Sequence, residues 1–184
     1  MGTMADVSVV FYRNMNLGHP GSPVRATLEA ALSNAGGASV RSFQTNGTVL
    51  FRADDPRAVV DAAAGSLREA GYTDAGIVRP LDLLRDLLND DPFAGYRDER
   101  TYRETLTFYD GGSALPVDLP WTGPRDDIDL IAASGGTALG IIRLRGGSVG
   151  SPTSEIERMT GGVATTRTLG TIQRLLAAVA RETS

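Results

Sequence analysis

Between Asp6 and Arg79 the spacing of apolar residues alternates between a strand-like and a helix-like period, and the order of those periods restricts the chain to few topologies. Asp6 to Arg13 holds Val7, Val9, Val10 and Phe11 in near succession, the pattern of a strand buried on both faces. Val24, Leu28, Ala31, Leu32 and Ala35 then trace a helical stripe, which Ser22-Pro23 is suited to open and Gly36-Gly37 to stop. Two short strands, Ser39 to Gln44 and Thr48 to Arg52, are joined through Thr45-Asn46-Gly47, whose Asn-Gly pair is a strong hairpin signal. A second helix from Pro56 to Ala70, capped by Asp55, carries Val59, Val60, Ala63, Ala64 and Leu67; Gly71 ends it, and Ala75 to Arg79 reads as a fourth strand. The order β-α-β-β-α-β is that of a ferredoxin-like unit, an antiparallel sheet with both helices on one face.

The remainder is less regular but still structured. Pro80 opens a helix with Leu81, Leu84, Leu87 and Leu88 as its stripe, closed by Asn89-Asp90-Asp91-Pro92. Thr101 to Tyr109 alternates as a strand, and Gly111 to Arg125 is a Gly- and Pro-rich connection that contains the only tryptophan, Trp121. Ile128 to Ala133 and Ala138 to Arg145 pair through Ser134-Gly135-Gly136-Thr137. Ser151-Pro152 starts a short helix to about Thr160, and a last helix from Thr168 to Arg181 carries Leu169, Ile172, Leu175, Leu176 and Val179. The expected fold class is α+β: a ferredoxin-like unit over residues 5–80, packed with a second, smaller α+β unit over residues 81–184 that ends in a helix. Met1-Gly2-Thr3 ahead of Met4 is expected to be an expression scar outside the fold.

Composition removes whole classes of chemistry. With no cysteine, disulfides, thiol catalysis and Cys-based zinc sites are excluded, and the single histidine, His19, cannot by itself build a His-rich metal site. Every basic side chain but His19 is arginine, so Schiff-base chemistry and a lysine-dependent phosphate loop are absent too. A net charge of -4 gives no global attraction for nucleic acid or an anionic membrane, and no apolar run approaches the roughly 20 residues that span a bilayer. No metal or cofactor is expected, and the expected location is the cytoplasm.

Three clusters are candidates for chemistry. Arg13, Asn14, Asn16, Gly18 and His19 follow the first strand and precede the first helix, whose exposed N–H groups would make an anion-binding corner with Arg13. The competing reading pairs Arg13 with a nearby carboxylate and leaves the asparagines to the turn. Asn46 and Thr48, on the hairpin, carry amide and hydroxyl groups that would bond a ligand or serve turn geometry. Thr165, Thr166 and Arg167 read as the entrance to the final helix, where an arginine at the positive helix end calls for an anion, or for Glu155 or Glu157, opposite it.

The pieces F-Y-R-N-M-N-L-G, V-R-S-F-Q-T-N-G-T-V-L-F, D-P-F at Asp91 to Phe93 and G-G-V-A-T-T-R-T-L-G-T-I-Q-R-L-L resemble, in the same order, motifs of the bacterial domain of unknown function 1697 family. Its members show R-G-I-N-V-G, R-T-Y-I-Q-S-G-N-V-V-F, N-P-F and A-T-T-R-N-W-R-T-V at matching places. Arg13, Asn16, Gly18, Gly47, Thr165, Thr166, Arg167 and Thr171 match. Asn14 stands where the family has glycine, Thr45, Asn46 and Thr48 replace its Gln, Ser and Asn, His19-Pro20-Gly21 replaces a basic loop, and Thr168-Leu169-Gly170 replaces Asn-Trp-Arg. The resemblance implies a two-part α+β fold and no established activity.

The resulting expectation is a protein that binds a small anionic or carbonyl-bearing molecule near Arg13 and Arg167. The alternative is a cofactor-independent enzyme of cyclase, isomerase or lyase type in a specialised biosynthetic pathway, which would need a deep apolar cavity with converging donors. A nucleic-acid role would need Phe43, Phe51 and Tyr12 displayed as a stacking platform, and the acidic pI argues against it. A homodimer through an open sheet edge is the other partner considered.

Overall fold

The structure, a computed structural model, describes residues 5–110 and 114–182. The expected scar and the first three residues of the 111–125 connection lie outside the described residues. Among the described residues the fold is mixed α and β, with five helices and two antiparallel sheets, and it divides into two compact units, one ending at Leu84 and the other beginning at Arg85. None of those helices is long and apolar enough to cross a membrane.

In the first unit the elements follow as β1 (Val7–Tyr12), α1 (Arg25–Asn34), β2 (Ala38–Phe43), β3 (Thr48–Arg52), α2 (Pro56–Glu69) and β4 (Gly76–Pro80), with α3 (Leu81–Leu87) at the boundary. The sheet order is β2-β3-β1-β4, and every neighbouring pair is antiparallel. Strand β1 is therefore bonded on both edges, Val9 opposite Leu50 on one side and Arg79 on the other. Ser8 to Tyr12 are all buried, as a strand without alternation requires. Val10, Tyr12, Val49 and Phe51, alternate residues on β1 and β3, form one core with Leu28, Ala31 and Leu32 of α1 and Val59, Val60, Ala63 and Leu67 of α2. Asp55 caps α2 by accepting from the Ala58 N–H at 3.0 Å.

The helical and strand periods are met closely, and the differences lie at caps and loops. Ser22 does not cap α1: the cap position is Val24, with no capping side chain, and Val24 is 57% exposed instead of joining the apolar stripe. The β2–β3 loop holds four residues, 44–47, between the paired Phe43 and Thr48, with Gln44 and Gly47 in the left-handed region. Phe51 and Tyr12 are core residues at 1% and 2% exposure and offer no ring face for stacking; burial pushes the Tyr12 phenol up, and its ring meets Tyr72 edge-on at 5.6 Å.

The second unit contains β5 (Thr101–Tyr109), β6 (Trp121–Thr122), β7 (Ile128–Ser134), β8 (Thr137–Arg145), β9 (Ser148–Val149), α4 (Pro152–Thr160), β10 (Ala164–Thr168) and α5 (Leu169–Glu182). Its sheet runs β10-β5-β8-β7-β6, with β9 paired to β8, so it carries six strands against four and is not the smaller unit expected. The β7–β8 hairpin turns through Gly135 and Gly136, both at positive φ, as a tight two-residue connection demands. Tyr109, Ile128, Leu130, Ala138, Ala164 and Ile156 of α4 make its core. The segment expected to lead into the last helix is a strand: β10 pairs with β5, Thr165 opposite Phe108 and Arg167 opposite Leu106. Its β-branched threonines suit a pleated edge better than a helical turn.

Strand β2 lies at a sheet edge, and α1 covers part of it. Arg25 donates to the carbonyls of Ser42 at 2.9 Å and Gln44 at 2.7 Å, and Glu29 accepts from the Ser42 N–H at 2.8 Å. An Arg25→Ala, Glu29→Ala variant strips these partners from the edge. It is expected to self-associate in sedimentation velocity as concentration rises, at concentrations where the parent chain's profile stays unchanged.

Candidate functional site

Beyond Tyr12 the chain leaves β1 but stays bonded on both sides. The Tyr12 N–H donates to Gly47 O at 2.9 Å and the Arg13 N–H to Ala75 O at 2.8 Å. Leu17 N–H then donates to Thr45 O at 2.8 Å, so the β1–α1 loop and the β2–β3 loop lie edge to edge. Gly47 is the point of closest approach: a Cβ there would fall 2.8 Å from Met15 Cβ and 2.9 Å from Tyr12 Cβ, and its φ of +71 already favours glycine. The first two sequence clusters are thus one surface.

Arg13 follows the competing reading. Its guanidinium donates to Asp74 at 2.9 Å, and the amide of Asn14 donates to the same carboxylate oxygen at 2.9 Å, while the Ala75 N–H reaches the other at 2.8 Å. Partial burial works against the charged form, yet the Ala75, Asn14 and Arg13 bonds hold the Asp74 carboxyl below the usual carboxylate range. Asn14 sits at φ 54, a left-handed conformation that asparagine tolerates better than most residues, which accounts for its standing where glycine is the common choice.

The loop then folds on itself. Ser22 Oγ accepts from the Asn16 N–H at 2.9 Å, Gly18 donates to Pro23 O at 3.0 Å, and His19 and Ser22 close a turn through their backbones. Asn14, Asn16, Gly18 and His19 are exposed, Asn46 is half-buried, and Thr48 is buried opposite Phe11 and Phe43. The hydroxyl used at Asn16 is the one that would have capped α1. The helix begins with its first bond from Leu28 N–H to Val24 O, and its cap position, Val24, offers no capping side chain.

Thr166 and Arg167 belong to the second unit. The Thr166 hydroxyl lies 2.8 Å from that of Thr107 and 2.7 Å from that of Thr153 on α4. Arg167 is buried on the opposite face of β10, and its Nη1 donates to Thr165 Oγ1 at 2.9 Å and Thr166 O at 3.0 Å. Nearby, Glu155 pairs with Arg158 at 2.8 Å, and the Ala164 N–H donates to Glu157 at 3.0 Å. The D-P-F segment anchors structure: Phe93 is fully buried and Asp91 takes both Nη groups of Arg97, at 2.6 and 2.7 Å. Among the described residues no three histidine or acidic side chains are grouped to hold a metal ion.

Sequence reasoning missed Asp74, because 61 residues separate it from Arg13 and nothing local marks the pairing. It also missed an Arg–Asp cluster at the start of β7, although the run Arg125-Asp126-Asp127 is a visible charge signal.

Residues 5–116 match the family described as Protein of unknown function (DUF1697). In fold the chain is similar to the conserved bacterial protein SP0830 from Streptococcus pneumoniae, with a TM-score of 0.62 and 19% identity over 94% of this chain and 96% of that one. No curated protein matches the sequence.

Two outcomes follow from the loop geometry. Asp74 has a folded-state pKa below its unfolded one, so the stability it contributes is complete above about pH 4 and is lost as pH falls through the folded value. Asp74→Asn should therefore lower Tm near neutral pH, with the difference from the parent shrinking as the pH is taken below 4 in a series of melts. Gly47→Ala should cost at least about 1–2 kcal/mol in urea unfolding, the left-handed penalty alone, before the contacts with Met15 and Tyr12 are counted.

Proposed function

We propose that this chain, which belongs to the DUF1697 family, binds a small molecule that presents an anionic or carbonyl oxygen to the open N-terminus of α1 in the first unit. The observation that carries this reading is the diversion of Ser22 to the Asn16 N–H, which leaves the first N–H groups of α1 without a capping side chain. Val24 to Thr27 are exposed residues, which supports placing the positive end of the helix dipole at the surface. Asn14, Asn16, Gly18 and Asn46 surround the neighbouring loop surface and supply further amide and backbone groups for a carbonyl or hydroxyl.

Arg13 has a supporting role in this reading. Its charge is matched by Asp74, so it fixes the loop and Asn14 more than it attracts an anion. Thr166 and Arg167 are retained as ligand contacts of the second unit, to be tested separately by Arg167→Gln. We also read the first unit as ferredoxin-like; the strand order β2-β3-β1-β4 and the shared core of α1 and α2 with alternate residues of β1 and β3 support this. No cofactor enters the reading, and product formation from any ligand found would move it to the cofactor-independent enzyme.

The test is an amide-detected NMR titration with phosphate, acetate and small keto acids. Shifts concentrated at Arg25, Ala26 and Thr27 are expected, and shifts elsewhere with none at these amides would sink the proposal. Val24→Asp supplies the missing cap in a position whose backbone is already extended. It should raise stability by about 1 kcal/mol while abolishing the anion response, because its carboxylate occupies the same donors.

A further inference from the structure

The second unit gathers Arg100, Arg125, Arg143 and Arg145 with Asp98, Asp126, Asp127 and Asp129 where β7 begins and β8 ends. Most of these charges are spent on one another. Arg143 donates to Asp98 at 2.7 Å and to Asp129 at 2.6 Å, Arg100 donates to Asp126 at 2.8 Å, and the Thr122 hydroxyl donates to Asp129 at 2.9 Å.

Asp127 differs. Its side chain is only 6% exposed, and its backbone is pinned: the carbonyl accepts from the Arg143 N–H at 2.9 Å, and a Cβ on Gly150 would come within 2.9 Å of that same oxygen. Yet among the described residues its carboxylate has one cation, Arg125 Nε at 3.4 Å, longer than a charge-assisted bond of about 2.7–2.9 Å. A carboxylate buried to this degree ordinarily accepts several hydrogen bonds.

Asp127 lines a cleft of about 300 Å³ with Pro124, Arg125, Arg145 and Ser148, at the small end of ligand-cavity sizes. The side chain of Arg125 is 68% exposed and that of Arg145 61%; Arg145 spends one nitrogen on Arg125 O at 2.9 Å and Asp126 at 3.4 Å. Both therefore keep N–H groups for a ligand.

We propose that this cleft binds a small zwitterion with an ammonium beside a carboxylate, the chemistry of a free amino acid, independently of the α1 site. Asp127 accepts from the ammonium, and Arg125 and Arg145 donate to the carboxylate. A simple cation would be repelled by the two guanidiniums and a simple anion by Asp126 and Asp127, whereas a molecule carrying both signs meets its complement at each end.

The experiment is a thermal-shift and calorimetric titration of the full chain with an equimolar pool of the protein amino acids at about 5 mM, followed by each alone. The Nα-acetyl and the C-terminal amide forms of any hit serve as controls. A concentration-dependent rise in Tm with a free amino acid, lost on acetylation and on amidation, is expected. Arg145→Gln, at an exposed position, should weaken binding about tenfold or more, and Asp127→Asn should abolish it. The proposal is overturned if no amino acid binds, if the acetylated or amidated form binds as well as the free one, or if Arg145→Gln binds unchanged. The ligand-analogue comparison uses the parent chain, so it decides the matter even where Asp127→Asn fails to fold.

Discussion

Strand β1 is hydrogen-bonded on both edges along its length, and so is the chain just past its end, where Tyr12 and Arg13 donate to Gly47 and Ala75. The placement of the β1–α1 loop and the β2–β3 loop in the first unit depends on that arrangement. The loop thus emerges from a strand held on both sides, and the hairpin loop is bound to it through Leu17 and Thr45. The lack of room at Gly47 closes the gap further. Polar side chains that follow Arg13 are therefore presented by a rigid edge, which limits the ordering entropy that a ligand would otherwise have to offset.

Within that edge each polar group goes to the partner that desolvation makes most favourable. Arg13 and Asn14 converge on Asp74, whose carboxylate is already partly buried and needs donors. Ser22 satisfies the Asn16 N–H inside the loop, at the expense of the helix end. The consequence is a reversal of the simple expectation for this corner: the arginine is neutralised, and the open backbone donors of α1 carry the positive potential.

The second unit uses the same economy with more charge. Buried Arg143 is fully matched by Asp98 and Asp129, while Asp127, equally buried, is held beside a cleft with a single distant cation. Matched pairs of this kind stabilise little by themselves but fix geometry, and the incompletely matched group is the one on which the zwitterion proposal rests. The threonines of β10 are also hydrogen-bonded within the unit, Thr166 to β5 and α4 and Thr165 to Arg167.

The sequence by itself determined what depends on near neighbours. The double-sided burial of Ser8 to Tyr12, the helices begun at Asp55-Pro56 and Ser151-Pro152, and the Gly135-Gly136 turn are written in residues a few positions apart, because period, cap and turn preferences act over that range. Where local signals were double-edged the tertiary structure chose. Ala164 to Thr168 could cap a helix or line a strand, and pairing with β5 made it a strand. Ser22, read from the sequence as a helix cap, accepts from the Asn16 N–H inside the loop. The pairing of Arg13 with Asp74 and the placing of Asp127 beside Arg145 and Ser148 in a cleft join segments that only the folded sheets bring together. Such choices rest on burial and on long-range hydrogen bonds, which no window of neighbouring residues contains.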